Sequence, residues 1–211
     1  MGRIEILCSY IDNCDSFADV GCDHGYCTQY ALKSGKCKSA VIADISAKCL
    51  AKAETLLAEF IEKGVCRSVC CDGLSGVPQD TEQVLIAGMG GDEIIKILTR
   101  GFVPEKFVFQ PMKNVVGLRK FLLERGCKIT ADDIFYDGKY YFVIKGERRG
   151  GTEEYSSAEL FFGRDSLKNP VLKSYAQAEL IKRERYFDDC ADPSARKKTA
   201  NEINLLKEVL E

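Results

Sequence analysis

Five short runs of almost unbroken apolar residues set the strongest limit on how this chain can fold. They are Phe17-Ala-Asp-Val20, Ser39-Ala-Val-Ile-Ala-Asp44, Ser68-Val-Cys-Cys-Asp72, Val84-Leu-Ile-Ala-Gly88 and Phe107-Val-Phe-Gln-Pro111. Strands this apolar, without alternation, are buried on both faces, as in a parallel sheet whose crossovers are helices. Helical stripes lie around and between them. Ile4, Leu7, Cys8 and Ile11 predict a helix over 3–12, and residues 25–34 predict one ending near Gly35. Ser46 caps a long helix carrying Cys49, Leu50, Ala53, Leu56, Leu57, Phe60 and Ile61 as far as Gly64. Ile94, Ile95 and Leu98 mark another, and Leu118, Phe121 and Leu122 a last one ending at Gly126.

The pattern then changes. Ile129–Tyr136 and Lys139–Lys145 flank Asp137-Gly138, a hairpin signal. A doubly wound, mostly parallel α/β sheet closed by an antiparallel hairpin is the Rossmann-like class I methyltransferase arrangement. Beyond Gly150 the strand pattern stops. Ser156 and Glu159 form a capping box, and Asn169-Pro170 and Asp192-Pro193 start two helices. Val171, Tyr175, Ala178 and Ile181 mark the apolar stripe of one; Ala200, Ile203, Leu206 and Leu210 mark that of the other. We therefore expect a catalytic domain over 1–150 and a helical, coiled-coil-like hairpin over 151–211. The tail should then be dispensable for binding a cofactor.

In an open parallel sheet, ligands sit beyond the carboxyl ends of the strands. Asp19, Asp44, Asp72 and the loop Gly88-Met-Gly-Gly91 all fall at such ends. After the first strand comes Asp19-Val-Gly-Cys-Asp-His-Gly25, with Tyr26 opening a helix. A pyrophosphate fingerprint would be Gly-x-Gly-x-x-Gly with no acid between the glycines. Here Asp19 and Asp23 would repel a pyrophosphate and attract a cation. S-adenosylmethionine fits, because its sulfonium and amino groups are both positive. A bare strand-to-helix turn with Asp23 as N-cap would use the same residues.

Candidate cofactor contacts are Asp19, Gly21, Asp23, His24, Gly25 and Tyr26 after the first strand, and Asp44 and Ile45 after the second. Asp72, Gly73 and Leu74 follow the third, and Ala87, Gly88, Met89 and Gly90 the fourth. Asp44 is placed for ribose hydroxyls and Asp72 for the adenine amino group. An acid at Asp44 would suit a dehydrogenase as well; the acids at Asp19, Asp23 and Asp72 favour methyl transfer.

Composition narrows the rest. The 211 residues carry a net charge of -2, so any nucleic-acid contact must be local. Lys182, Arg183, Arg185, Arg196, Lys197 and Lys198 are the candidates for RNA phosphates; Glu184, Asp188 and Asp189 beside them suit a solvated helix face equally. Eleven cysteines are odd in number, contain no Cys-x-x-Cys and accompany one histidine, so the expectation is reduced, structural thiols and no metal. No apolar run of about 18 residues and no signal peptide occurs, so a membrane is not expected and a cytoplasmic location is.

With these pieces placed, the chain resembles the bacterial tRNA (adenine-22-N1)-methyltransferase family, the TrmK group. The resemblance rests on Ala18–Tyr26, Ile86-Ala-Gly-Met-Gly-Gly91, Gln110-Pro111 with Leu118-Arg119, Asp137-Gly-Lys-Tyr140, Phe162-Gly163 and Asn169-Pro170. It covers nearly the whole chain. It implies S-adenosylmethionine as cofactor, tRNA as substrate, a helical C-terminal hairpin, and methyl transfer to N1 of adenine 22. Asp23, Met89 and Gln110 are then the catalytic candidates: Asp23 beside the cationic product base, Gln110 and the Met89–Gly90 backbone at the base edge. Three departures stand out. Gly25 replaces the family's usual Ala, Asp44 its Glu, and Met112 its Asn, with Asn114 able to supply an amide instead. The alternatives are a methyltransferase for another RNA, a protein or a small molecule, a nicotinamide oxidoreductase, or a non-catalytic tRNA-binding module that keeps the cofactor fold.

Overall fold

Seven strands form one sheet in the order β3-β2-β1-β4-β5-β7-β6. They are β1 (Cys14–Val20), β2 (Cys37–Asp44), β3 (Cys66–Cys70), β4 (Gln83–Met89), β5 (Lys106–Pro111), β6 (Cys127–Asp137) and β7 (Lys139–Gly150). The structure, a computed structural model, describes residues 2–211. The first five strands are mutually parallel and β7 is antiparallel to β5. Each of the five apolar runs marks a strand, although β3 starts two residues before the expected Ser68 and ends at Cys70, leaving Cys71 and Asp72 beyond it. Phe17, Ala18, Ile42, Ala43, Val84, Leu85, Ile86, Phe107, Val108 and Phe109 are fully buried, as burial on two faces requires. The chain progresses from β1 outward to β3, returns to β4 beside β1, and continues the other way. The crevice at this reversal lies beyond the ends of β1 and β4.

The helices are α1 (Arg3–Ser9), α2 (Tyr26–Lys33), α3 (Ala47–Leu56), α4 (Ala58–Glu62), α5 (Gly91–Arg100), α6 (Val115–Glu124), α7 (Ser157–Phe162), α8 (Val171–Asp189) and α9 (Pro193–Leu210). The single helix expected over 46–64 is two. Leu57, at φ -104° and ψ 11°, interrupts it and is fully buried. A Cβ on Gly25 would lie 3.0 Å from the Leu57 side chain, so the break seats Leu57 beneath the first glycine-rich loop. α1 ends at Ser9, three residues short of expectation, where the Lys36 side chain takes the Cys8 and Ile11 carbonyls.

The chain divides into two compact units that interleave in sequence. One comprises residues up to Ala131 together with Val143–Glu153; the other comprises Asp132–Phe142 and Glu154–Glu211. The tip of the β6–β7 hairpin therefore groups with the C-terminal helices. Within that second unit Tyr175 meets the rings of Tyr140 and Phe142 edge-on at 5.4 and 5.3 Å. Asn169 donates to the Asp133 carboxylate at 2.8 Å and to the Ile134 carbonyl at 2.7 Å. Its core holds Phe162, Leu172, Ala176, Ile203 and Leu206. The stripe expected on α8 is rotated by one residue: Leu172 and Ala176 are buried, while Ile181 is 55% exposed. The α9 stripe holds, with Ile203 and Leu206 inside. Arg183–Glu202 at 3.0 Å and Lys207–Glu184 at 3.2 Å tie α8 to α9.

Among the described residues, no helix is long and apolar enough to cross a membrane. All eleven cysteines are free and most are buried. Burial pushes the Cys14 and Cys127 thiols up to about 11 and Cys37 to about 12, which keeps them protonated.

Candidate active site

The loop after β1 is shaped by left-handed backbone at three positions: Gly21 (φ 73°), Asp23 (φ 44°) and Gly25 (φ 75°). At Gly21 the left-handed backbone favours glycine, and a Cβ would lie 2.1 Å from the Met89 methyl group, so the end of the Met89 side chain would have to swing aside for any other residue. At Gly25 a Cβ would press on Leu57 and Ala53 at 3.0 and 3.1 Å, and the residue is the N-cap of α2. The cap is thus Gly25; Asp23 stands two residues earlier and is free to point outward.

Asp19 sits inside the sheet end, 5% exposed. Thr28 of α2 donates its hydroxyl to Oδ2 at 3.0 Å. Burial pushes the carboxyl up to about 6, the Thr28 hydrogen bonds oppose that, and the Asp44 charge adds to it. Asp19 therefore braces β1 against α2.

Asp23 is the outward acid. Its Oδ2 accepts from His24 Nδ1 at 2.8 Å and its Oδ1 faces Lys52 at 3.5 Å. The His24 hydrogen bond first, then the His24 and Lys52 charges, hold its carboxyl below the usual carboxylate range. His24 lies parallel to Tyr26, their centroids 5.5 Å apart.

Beyond β2, Asp44 Oδ1 accepts the Ser46 N–H at 2.8 Å, which leaves Oδ2 available. Ile45 beside it is 72% exposed, an apolar surface that the fold does not use. Beyond β3, Asp72 pairs loosely with Arg100 at 3.4 Å and is largely exposed. Gly73 turns at φ 59° over Ile97, and Leu74 is buried. Beyond β4, the register shifts between Ala87 and Met89 and Gly88 takes φ 82°, so the strand end bulges. The Met89 carbonyl accepts the Met112 N–H at 2.7 Å, and Gly90 caps α5.

At the end of β5, Gln110 is fully buried. Its Oε1 accepts both Nε and a terminal N–H of Arg3, at 3.0 and 2.6 Å. Its Nε2 donates to the Pro111 carbonyl at 3.2 Å and to the Met112 sulfur at 3.3 Å. A guanidinium is donor-only, so it fixes which end of the amide is oxygen. Arg3, which also approaches Gly88, was not among the candidates read from the sequence, because it looks like one more polar residue on a short amphipathic helix.

The donor set suits a cationic, ribose-bearing nucleoside. It offers a carboxylate at the end of β2, a second at β3, an exposed aliphatic face between them, and glycine backbone where a side chain would intrude. The structure brings Gly21, Met89 and Met112 together, with Gln110 buried behind Met112. It keeps Asp19 inside and leaves Asp23, His24 and Tyr26 on the rim. Among the described residues, no group of three or more His, Cys, Asp or Glu is arranged to hold a metal.

Residues 1–144 match the family model described as a methyltransferase domain. The Bacillus subtilis tRNA (adenine(22)-N(1))-methyltransferase is 27% identical, with 99% of this chain and 96% of that protein aligned. The crystal structure of B. subtilis TrmK superposes with a TM-score of 0.88 at 25% identity, over 99% of this chain and 97% of that one. This chain belongs to the TrmK group of the methyltransferase family. A Mycoplasma pneumoniae relative is 31% identical over 147 residues, 68% of each chain. Streptococcus pneumoniae Sp1610, solved in complex with S-adenosyl-L-methionine, superposes with a TM-score of 0.87 at 26% identity, over 99% of this chain and 98% of that one.

This TrmK-group chain departs from the pattern at Met112, and the structure shows what the thioether does: it takes the Gln110 amide hydrogen bond. Asn114 does not supply the missing amide. At φ 48° it caps α6 through the Gly117 N–H at 3.1 Å and donates to Asp92 at 2.6 Å. In the second unit, Lys182 and Arg183 pair with Glu179, and Arg196 lies 4.2 Å over the Phe187 ring. Among the described residues, Arg185, Lys197 and Lys198 form no ion pair, and they stand exposed.

Proposed function

We propose that this chain transfers a methyl group from S-adenosylmethionine to N1 of adenine 22 in tRNA. The observation that supports this best is the placement of Asp44 and Asp72 beside a glycine-shaped crevice at the β1/β4 reversal, in a chain aligned end to end with an enzyme of that name. In this reading Asp44 Oδ2 accepts from ribose hydroxyls, Ile45 covers one face of the cofactor adenine, and Asp72 with the Gly73–Leu74 backbone meets its amino edge. Asp19 holds α2 in place beneath the methionine portion, and the Ala87–Gly90 backbone closes the far side. S-adenosylmethionine supplies an electrophilic methyl group on a sulfonium centre.

Adenine N1 carries a lone pair and no proton, so the protein has no proton to remove; orientation and electrostatics carry the rate. Arg3 holds the Gln110 carbonyl, and the Gln110 amide in turn holds the Pro111 carbonyl and the Met112 sulfur, so the buried Gln110 positions Met112 and the end of β5 from behind rather than meeting the base itself. The Met89–Gly90 backbone takes the edge of the base. Methylation leaves the base cationic. Asp23, kept ionised by His24, is the carboxylate that balances that charge. Arg185, Lys197 and Lys198 are the tail cations free to meet phosphates. The protein would work in the cytoplasm, where tRNA is.

Transfer of labelled methyl to a tRNA transcript, with adenine or guanine at position 22, tests this. Label on the adenine transcript alone supports it. Label on both, or on neither, rejects the assignment.

A further inference from the structure

α2 carries a second surface, outside the crevice. Tyr26, Tyr30 and Lys33 follow one another on one helical face, while Cys27, Thr28 and Ala31 anchor the opposite face in the core. Tyr26 is 49% and Tyr30 41% exposed, and Ile4 of α1 lies alongside at 37%. With Gln29 and Ser34 they line a groove of about 600 Å³. Lys33 is the one charged residue in the lining, and among the described residues it forms no ion pair. Lys36 adds a second cation, 5.7 Å from the Tyr30 ring. The groove starts at Tyr26, whose ring stacks on His24 of the loop after β1.

From this we infer that the groove receives an unpaired nucleotide of the tRNA next to the methylated adenine. The inference rests on tRNA being the substrate, as proposed above. An enzyme that alkylates a base edge must take the base out of its stack, and the base beside it then loses a stacking partner. Exposed aromatic faces beside the site replace that partner. Every base has a π-face, so such a platform accepts any sequence, and a nearby cation holds the backbone. Tyr30 and Lys33 supply those two parts. The lining has no carboxylate that would repel a phosphate, which argues for nucleic acid over a basic protein partner.

The test uses the full chain as wild type, Tyr30→Ala, Tyr30→Phe and Lys33→Ala, with a tRNA transcript. Tyr30→Ala should weaken tRNA binding about 5- to 150-fold, the range for loss of one stacked base. Its affinity for S-adenosylmethionine, by calorimetry, and its melting temperature should not change. Tyr30→Phe keeps the ring and should bind within about twofold of wild type. Lys33→Ala should flatten the dependence of log affinity on log salt by about one phosphate contact. Unchanged tRNA affinity in Tyr30→Ala overturns the inference. So does a change in sedimentation with no change in tRNA affinity, which would make the groove a contact between copies of this chain. A wild-type protein that neither binds nor methylates tRNA overturns the substrate assignment first and the groove with it.

Discussion

Replacing Asp19 by Asn should make this protein more stable at neutral pH and leave it unchanged in acid. The Asp19 carboxyl rises from an ordinary 3.8 to about 6, with burial as the main cause. That is the reverse of a salt-bridged carboxylate. A group whose folded value is raised binds its proton more tightly when folded, so the folded state loses stability as pH climbs from about 4 to about 6 and gains nothing beyond. The shift corresponds to about 3 kcal/mol at pH 7. That value is already net of the Thr28 hydrogen bonds, and Asn resembles the neutral acid with an oxygen that can still accept from Thr28, so Asn should recover the whole of it. The gain of about 3 kcal/mol at neutral pH should raise the melting temperature by roughly 6–12 °C in a chain of this size. Thermal melts of both proteins without cofactor, from pH 3.5 to 7.5, isolate the effect as a difference, because all other carboxylates cancel. An Asp19→Asn protein less stable than wild type at pH 7, or a difference that does not vary with pH, would refute the argument that Asp19 is a desolvated acid.

The other expectations concern binding and catalysis. Asp44→Ala should weaken S-adenosylmethionine binding by roughly 10- to 150-fold in calorimetry, the value of a charged hydrogen bond. Asp72→Ala should fall at the lower end, because Asp72 is exposed and already faces Arg100. Arg3→Ala should lower kcat about tenfold, an effect the size of one lost hydrogen bond, while cofactor affinity stays within error; Arg3→Lys, which keeps one donor of the fork, should recover part of it. Cutting the chain after Glu153 removes Tyr175 and Asn169 from beneath the hairpin tip, so that form should aggregate. Shortening the hairpin between Ala131 and Val143 at the same time should restore a protein, visible by light scattering, that binds S-adenosylmethionine and has lost most tRNA affinity.

The strands were legible in the sequence because burial on two faces leaves no polar residue to blur them; Val84–Ile86 and Phe107–Phe109 are fully apolar and fully buried. Asp44 and Asp72 were legible for the same reason, as the acids that close the second and third runs, and Asp19 as the one polar residue within the first. What such patterns do not carry is direction. Asp19 and Asp23 read alike, yet the left-handed turn at Gly21 puts one inside and one on the rim. The break at Leu57 was hidden because a leucine there suits a continuous helix equally well. Arg3 and Gln110 meet across 107 residues, and no local spacing announces such a bond. The rotation of the α8 stripe had a similar source: Val171 and Leu172 are both apolar, and packing alone chose between them.

The position of β7 between β5 and β6 has a consequence for how the chain must be made. When residues up to 131 have left the ribosome, the outer edge of β5 is still open and the first half of β6 is the nearest strand to fill it. The finished sheet needs β7 there instead, pairing Lys106–Phe109 with Ile144–Glu147. β6 must be held off until its successor arrives, and the Asp137-Gly138 turn is the device that brings β7 in already attached to it. An edge left waiting in this way invites pairing with other chains. Synthesis slowed just after Ala131 should therefore yield more aggregate than synthesis slowed after Gly151, a dependence on timing that no property of the finished molecule would show.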